Sequence, residues 1–292
     1  MKKLLLGSVA LIALAAAGSA IAAEMPIKAP PPPPCIWCGF YIGGDIGGYG
    51  ASQSATTTPY LSPGFGAPAI LGAGLAGFGQ TPTTNGLNSS GILGGFYAGY
   101  NWQWTPSLVA GLEGDVTFLN RNASNTQVSS ATFSGAPVPD FNMTVNASDH
   151  WLASARVRLG FTTGPALFYA TGGAAWTNAS YSATAIGFNN PPITGPLAGT
   201  TAATSWSGNR TGFAIGGGAD WMLPANPQWI FRAQYLYYQF ARSSSAMGTL
   251  GNGVDVCAPG LCGWNVAAST LRISTGLVGV SYKFGGPGPG GY

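Results

Sequence analysis

The sequence is poor in charge. Only 7% of its 292 residues are Asp, Glu, Lys or Arg, against about a quarter in an ordinary soluble domain. This excludes a conventional water-facing surface, and no cluster of basic residues points to nucleic acid. Beyond residue 22 no apolar run reaches the roughly 20 residues that a spanning helix needs, which excludes a helical membrane protein. There is a single histidine, His150, and there are four cysteines. No metal site and no cofactor are expected.

What is present is apolar and turn-rich: 46% hydrophobic residues, 46 glycines, 22 prolines and 12% aromatics. Lys2 and Lys3 precede an apolar run over residues 4–17 and the small-residue site Ala20-Ile21-Ala22, the pattern of a secretory signal peptide over residues 1–22. Removing Lys2 and Lys3 from eleven cations leaves nine against eight acids, so the mature chain is nearly neutral. Residues 23–38 read as a proline-rich periplasmic leader that cannot pack a core. An exported, apolar-rich chain without spanning helices points to the other fold that satisfies its backbone in lipid, a closed barrel.

Residues 229–240, WIFRAQYLYYQF, carry the strongest pattern. On a helix Arg232 and Gln234 would have no polar face. With period 2, Trp229, Phe231, Ala233, Tyr235 and Tyr237 share one face, and Arg232, Gln234 and Tyr238 share the other with Ile230, Leu236 and Phe240. An apolar aromatic face backed by an arginine suits a lipid-facing strand around a polar interior. The same alternation predicts strands from Phe40 and over residues 92–104, 108–119, 150–162, 166–178, 209–222 and 268–284. Short turns fall at 105–107, 163–165 and 223–228, and polar loops at 51–91, 120–148, 179–208 and 241–267. The expected fold is therefore all-β: an eight-stranded antiparallel up-and-down transmembrane β-barrel over residues 39–284, with long extracellular loops, short periplasmic turns and a Gly/Pro tail at 285–292. Aromatic residues support it, because Trp102, Trp104, Phe161, Trp221, Trp229 and Phe284 fall at one set of strand ends and Trp151 and Trp176 at the other, as two interfacial girdles should.

The proline-rich leader running into Trp37-Cys38-Gly39-Phe40-Tyr41-Ile42-Gly43-Gly44, the segment Tyr235-Leu236-Tyr237-Tyr238 and the closing Val278-Gly279-Val280-Ser281-Tyr282-Lys283-Phe284 resemble the opacity-type, OmpA-like small outer-membrane barrel proteins of Gram-negative bacteria, a group that includes immunogenic surface antigens. The resemblance implies the Gram-negative outer membrane. It also implies an insertion signal in the last strand at Val278, Val280, Tyr282 and Phe284, read by the barrel-insertion machinery, with Tyr292 as a competing terminal aromatic. Gln234 departs from the family, which often has an acid there. The family includes haem-binding surface proteins, for which one histidine is little support.

The inward positions Asp45, Glu113, Asp115, Arg156, Arg158, Asp220, Arg232 and Lys283 are expected to form a lumen charge network. Glu113 and Asp115 precede the strand of Arg156 and Arg158, and Asp220 and Arg232 flank one turn. Buried charges that do not pair cost several kcal/mol each, and an eight-strand barrel has room only for its side chains. Cys35 and Cys38 lie at the periplasmic start and Cys257 and Cys262 in an outer loop, so a bilayer permits only the pairs Cys35–Cys38 and Cys257–Cys262. His150, beside Asp149 and Ser148 at the outer rim, is the one candidate for rim catalysis. The chain is read as a non-enzymatic, monomeric outer-membrane protein with a structural and surface-exposed role. It would contact outer-membrane lipid and lipopolysaccharide and present loops to an extracellular ligand. The alternatives are a narrow porin-like pore or a rim-sited lipid-modifying enzyme.

Overall fold

In a computed structural model, residues 35–61, 78–80, 83–133, 136–187, 201–243, 246–249 and 262–284 are described. The signal peptide, residues 23–34 of the leader, the tail with Tyr292, and Cys257 lie outside the described residues. Thirteen strands are present among those described: β1 (Gly39–Ser52), β2 (Ser54–Leu61), β3 (Phe78–Gln80), β4 (Thr83–Gly86), β5 (Ser89–Gln103), β6 (Leu108–Phe133), β7 (Ala136–Thr163), β8 (Ala166–Gly187), β9 (Thr201–Leu223), β10 (Asn226–Phe240), β11 (Ala246–Thr249), β12 (Cys262–Ala268) and β13 (Leu271–Lys283).

Eight of them form the wall, hydrogen-bonded in the order β6-β5-β1-β13-β10-β9-β8-β7. The β6–β7 pairing closes the ring, and all its pairings are antiparallel. Closure leaves no free sheet edge, the condition for a sheet to sit in hydrocarbon. The side chains sort by period 2 as the sequence predicts. Along β10, Trp229, Phe231 and Tyr235 are exposed while Ile230, Arg232, Gln234, Leu236, Tyr238 and Phe240 are buried. Along β1, Phe40, Ile42 and Ile46 face out and Tyr41 and Tyr49 face in.

One end of the ring carries the tight connections. At residues 105–107 the Thr105 hydroxyl accepts the Leu108 amide at 3.0 Å, and Leu108 and Trp104 pair across the turn. At 164–165, Gly164 takes φ +60°, a conformation that favours glycine. The start of β1 and the end of β13 share this end, which is therefore the periplasmic one.

The opposite end differs from the expectation of four irregular loops. The segments read as loops at 120–148 and 179–208 are largely strand, since β6 and β7 run 26 and 28 residues and β8 and β9 run 22 and 23. A membrane crossing takes about 9–11 residues, so these four stand well above the bilayer as a curved wall. The segments read as loops at 51–91 and 241–267 contribute a second sheet, β11-β12-β2-β4. Between the two lies a core of small residues: Ala55 and Leu87, Ala123, Val145 and Ala147, Ala179 and Ala183, Val266 and Ala268, with Tyr181 stacked on Trp206 at 5.0 Å. The outer region is thus a folded cap. Much of it alternates Ala with Ser, Thr and Asn, a period-2 pattern in which the buried member is often only a methyl group.

Hydrogen exchange of the protein in lipid nanodiscs checks the cap. Amides of residues 179–186 are expected to exchange as slowly as those of the spanning part of β8; exchange within the dead time of the measurement would return them to loop status.

Candidate functional site: a lumen filled in layers

The lumen is stacked in layers, and the central one is ionic. Glu113 on β6 is paired with Arg156 (Nη2 to Oε1, 2.7 Å), Arg158 (3.1 Å) and Arg232 (2.8 Å), and accepts the Tyr41 hydroxyl at 2.7 Å. Asp115 holds the other side of Arg156 at 2.7 Å and accepts the Ser154 hydroxyl. Asp220 pairs with Arg158 at 2.6 Å and receives Arg232 Nε and Nη2 at 2.9 and 3.2 Å. Three carboxylates and three guanidinium groups therefore cancel, and their side chains are at most 5% exposed.

Register brings this about. Glu113 stands opposite Arg156 and Asp220 opposite Arg232, so two pairs are direct cross-strand neighbours. The Glu113–Arg232 contact differs, because β6 and β10 are four steps apart in a ring of eight and the pair bridges opposite walls. Arg232 Nη1 approaches Glu113 without the alignment of a hydrogen bond, so this link is ionic. Tyrosine rings complete the layer: Arg158 lies 3.7 Å from the Tyr169 centroid and Arg232 lies 4.0 Å from that of Tyr97, within cation–π range. Each ring faces a glycine on the adjacent strand, in the register pairs Tyr41–Gly99, Tyr97–Gly43 and Tyr169–Gly218. A Cβ on any of these glycines would come within 2.4–2.7 Å of the tyrosine side chain opposite, so the glycines make the space in which the tyrosines lie flat.

Below this layer sits an apolar one: Val109, Leu167, Met222 and Ile230 around the fully buried indole of Trp37. Trp37 belongs to the loop closed by the Cys35–Cys38 disulfide, whose Cα atoms are 5.5 Å apart. Its amide donates to Gln103 Oε1 at 3.1 Å, and Lys283 donates to the Ile36 carbonyl. The leader's last residues thus reach back into the barrel as a stopper. Above the ionic layer, Leu93, Leu119, Leu152, Leu236, Leu271, Ile273 and Phe240 form a second apolar layer.

A further polar layer follows at the base of the cap. Arg121 is ion-paired with Asp149, both fully buried, and donates to Gln53 Oε1 (3.2 Å) and the Leu87 carbonyl (3.0 Å). Arg210 donates to the Tyr181 hydroxyl (2.5 Å) and to the carbonyls of Ala241 and Ser269, which lie just past β10 and just before β13. Asp149 faces inward because the register of β7 slips between Asp149 and Leu152, a bulge that places His150 and Trp151 together on the outer side.

Of the sequence-derived site residues, Glu113, Asp115, Arg156, Arg158, Asp220 and Arg232 meet in one cluster. Asp45 and Lys283 stand apart from it: Asp45 makes no ion pair among the described residues, and Lys283 binds a backbone carbonyl. Trp102, Trp104, Phe161, Trp221, Trp229 and Phe284 are exposed on the outer wall toward the periplasmic end and Trp176 toward the other, where Trp151 is half-buried. Val278 and Val280 face outward, while Tyr282 donates to Gln228 at 2.8 Å and packs edge-on to Trp229 and Phe284. Of the expected Cys257–Cys262 pair, Cys257 lies outside the described residues. Sequence reasoning missed Trp37, Gln53, Arg121, Asp149, Tyr181 and Arg210 as interior groups. For Arg121 the signal was present, since it continues the inward steps of Leu119.

A closed antiparallel ring with an apolar outer belt and a charge-balanced, filled interior defines an integral membrane β-barrel. The chain belongs to the outer membrane protein beta-barrel domain family, which it matches over residues 9–284. It is similar to the 31 kDa outer-membrane immunogenic proteins of Brucella melitensis and Brucella suis, 27% identical to each over 292 residues, covering 97% of this chain and 100% of theirs. Among solved structures it is similar to OprG from Pseudomonas aeruginosa (11% identity, TM-score 0.36) and to Neisserial surface protein A (15% identity, TM-score 0.32), covering 84% of this chain and 97% of theirs in each case. Its location is the Gram-negative outer membrane.

Replacing Glu113 with Gln leaves three buried arginines with two carboxylates. Breaking a buried pair in this way costs about 3–5 kcal/mol. The Glu113→Gln protein is expected to unfold at clearly lower urea than the parent in the same detergent, whereas Lys283→Met should shift the midpoint much less.

Proposed function

We propose that this protein is a structural and surface-display component of the outer membrane, a sealed barrel that carries a folded cap for adhesion or recognition. The observation that carries this reading is the Glu113–Arg232 bridge between opposite walls, at 2.8 Å and with both side chains buried. A path for solutes would have to break that bridge within a neutral six-charge cluster, and then pass Trp37 below and the Arg121–Asp149 layer above. The effort of the fold goes into closing the lumen and raising a stiff outer surface. Its contacts are accordingly outer-membrane lipid, the barrel-insertion machinery that reads the aromatic end of β13, and an extracellular ligand met by the cap. As the ring is complete within one chain, the functional unit is a monomer.

A catalytic role at the rim is disfavoured by the same geometry. His150 is exposed, but the bulge turns its neighbour Asp149 into the interior, where Arg121 holds it. The acid that would orient the imidazole is thereby committed elsewhere.

In planar bilayers the purified protein is expected to show conductance indistinguishable from protein-free membranes, and Glu113→Ala is expected to lower yield of folded protein without opening a steady channel. A large, stable conductance from the unmodified protein would favour the pore reading instead.

A further inference from the structure

Among the described residues the outer wall is almost free of charge, and the exceptions are informative. Of the Lys and Arg side chains described, Arg121, Arg156, Arg158, Arg210, Arg232 and Lys283 are buried, leaving Arg242 and Arg272 exposed. No carboxylate among the described side chains is exposed, and Arg272 has no ion-pair partner among the described residues. Arg272 is on the outward face of β13, beside Gln239 of β10 and Ser52 of β1. It lines an open groove of about 590 Å³ with Gly50, Ser52, Asn88, Ser90 and Tyr237.

Height decides what can reach it. Arg272 lies about a dozen residues up β13 from Phe284; at about 3.4 Å per residue and a strand tilt of roughly 40° it stands some 30 Å above the periplasmic rim, just past an apolar band about 25 Å tall. That is the headgroup level of the outer leaflet. Directly below, Gly48 is paired with Gly276 and flanked by Ile46, Val278 and Ile92, all exposed. The wall there is a smooth apolar strip leading down from the groove, with no side chain on the central pair.

We propose that this groove is a binding site for the phosphorylated sugar headgroup of an outer-leaflet glycolipid. The Arg272 guanidinium takes the phosphate, the hydroxyls of Ser52 and Ser90 and the amide of Asn88 face the sugar, and an acyl chain lies along the Gly48–Gly276 strip. A guanidinium suits a phosphate because its planar fork gives paired, charge-assisted hydrogen bonds. Among the described residues no exposed acid lies nearby to oppose that charge. Gly50 forms the floor, and a Cβ built there meets nothing within 4 Å. The groove can therefore be filled without disturbing the barrel.

The test is native mass spectrometry of the mature protein released from detergent, with diphosphoryl lipid A, its dephosphorylated form and inorganic phosphate as probes. The parent is expected to retain diphosphoryl lipid A and to bind the dephosphorylated form about tenfold more weakly, the loss of one charged hydrogen-bonding contact. Free phosphate should not displace it. Arg272→Ala and the groove-filling Gly50→Val should each lose about tenfold while keeping the heat-modifiable gel mobility of a folded barrel, and Arg242→Ala should bind as the parent does. Unchanged retention in Arg272→Ala, an equal loss in Arg242→Ala, or full displacement by free phosphate would overturn the proposal.

Discussion

Everything in this barrel depends on the neutrality of one buried layer. A charge enclosed by a lipid-bound wall cannot recover its lost hydration, so it must be matched in number and in geometry. Glu113, Asp115 and Asp220 meet Arg156, Arg158 and Arg232 with no remainder, and the cation–π contacts of Tyr97 and Tyr169 occupy the flat faces of two guanidinium groups. The layer does for this membrane protein what an apolar core does for a soluble one: it fixes which strands stand opposite each other. The glycines facing Tyr41, Tyr97 and Tyr169 are a condition of that packing.

The remaining layers follow from the same demand that the interior be filled. Apolar side chains above and below insulate the ions from water, and Trp37 and the Arg121–Asp149 pair close the two ends. The cap is then a continuation of the barrel by other means. Four strands carry on past the bilayer, where they no longer need an apolar exterior, and a small second sheet covers what would be their open side.

The spanning part was legible because lipid demands an apolar face without charge while the lumen face admits charged and polar residues, a contrast that period 2 displays in residues 229–240, where Arg232 and Gln234 fall opposite Trp229, Phe231 and Tyr235. The cap was not legible for the opposite reason. Outside the bilayer the exposed positions become Ser, Thr and Asn and the buried ones Ala, as in Ala179, Ala183 and Ala185, so the contrast falls below what hydrophobicity reveals. Cross-strand partners such as Glu113 and Arg156 could be anticipated from strand order. The bridge from Glu113 to Arg232 could not, since it depends on the diameter and shear of the closed ring. Asp149 was hidden by a bulge, which reverses the alternation on which face assignment rests.

The distribution of the six lumen charges along the chain bears on how the barrel can enter a membrane. The β6–β7 pair carries Glu113, Asp115, Arg156 and Arg158, and the β9–β10 pair carries Asp220 and Arg232. Each hairpin is thus electrically balanced by itself, with Glu113 opposite Arg156 and Asp220 opposite Arg232 in register. Sequential insertion of hairpins never has to carry a net charge of these six groups into hydrocarbon, and closure of the cylinder only links clusters that are neutral before they meet.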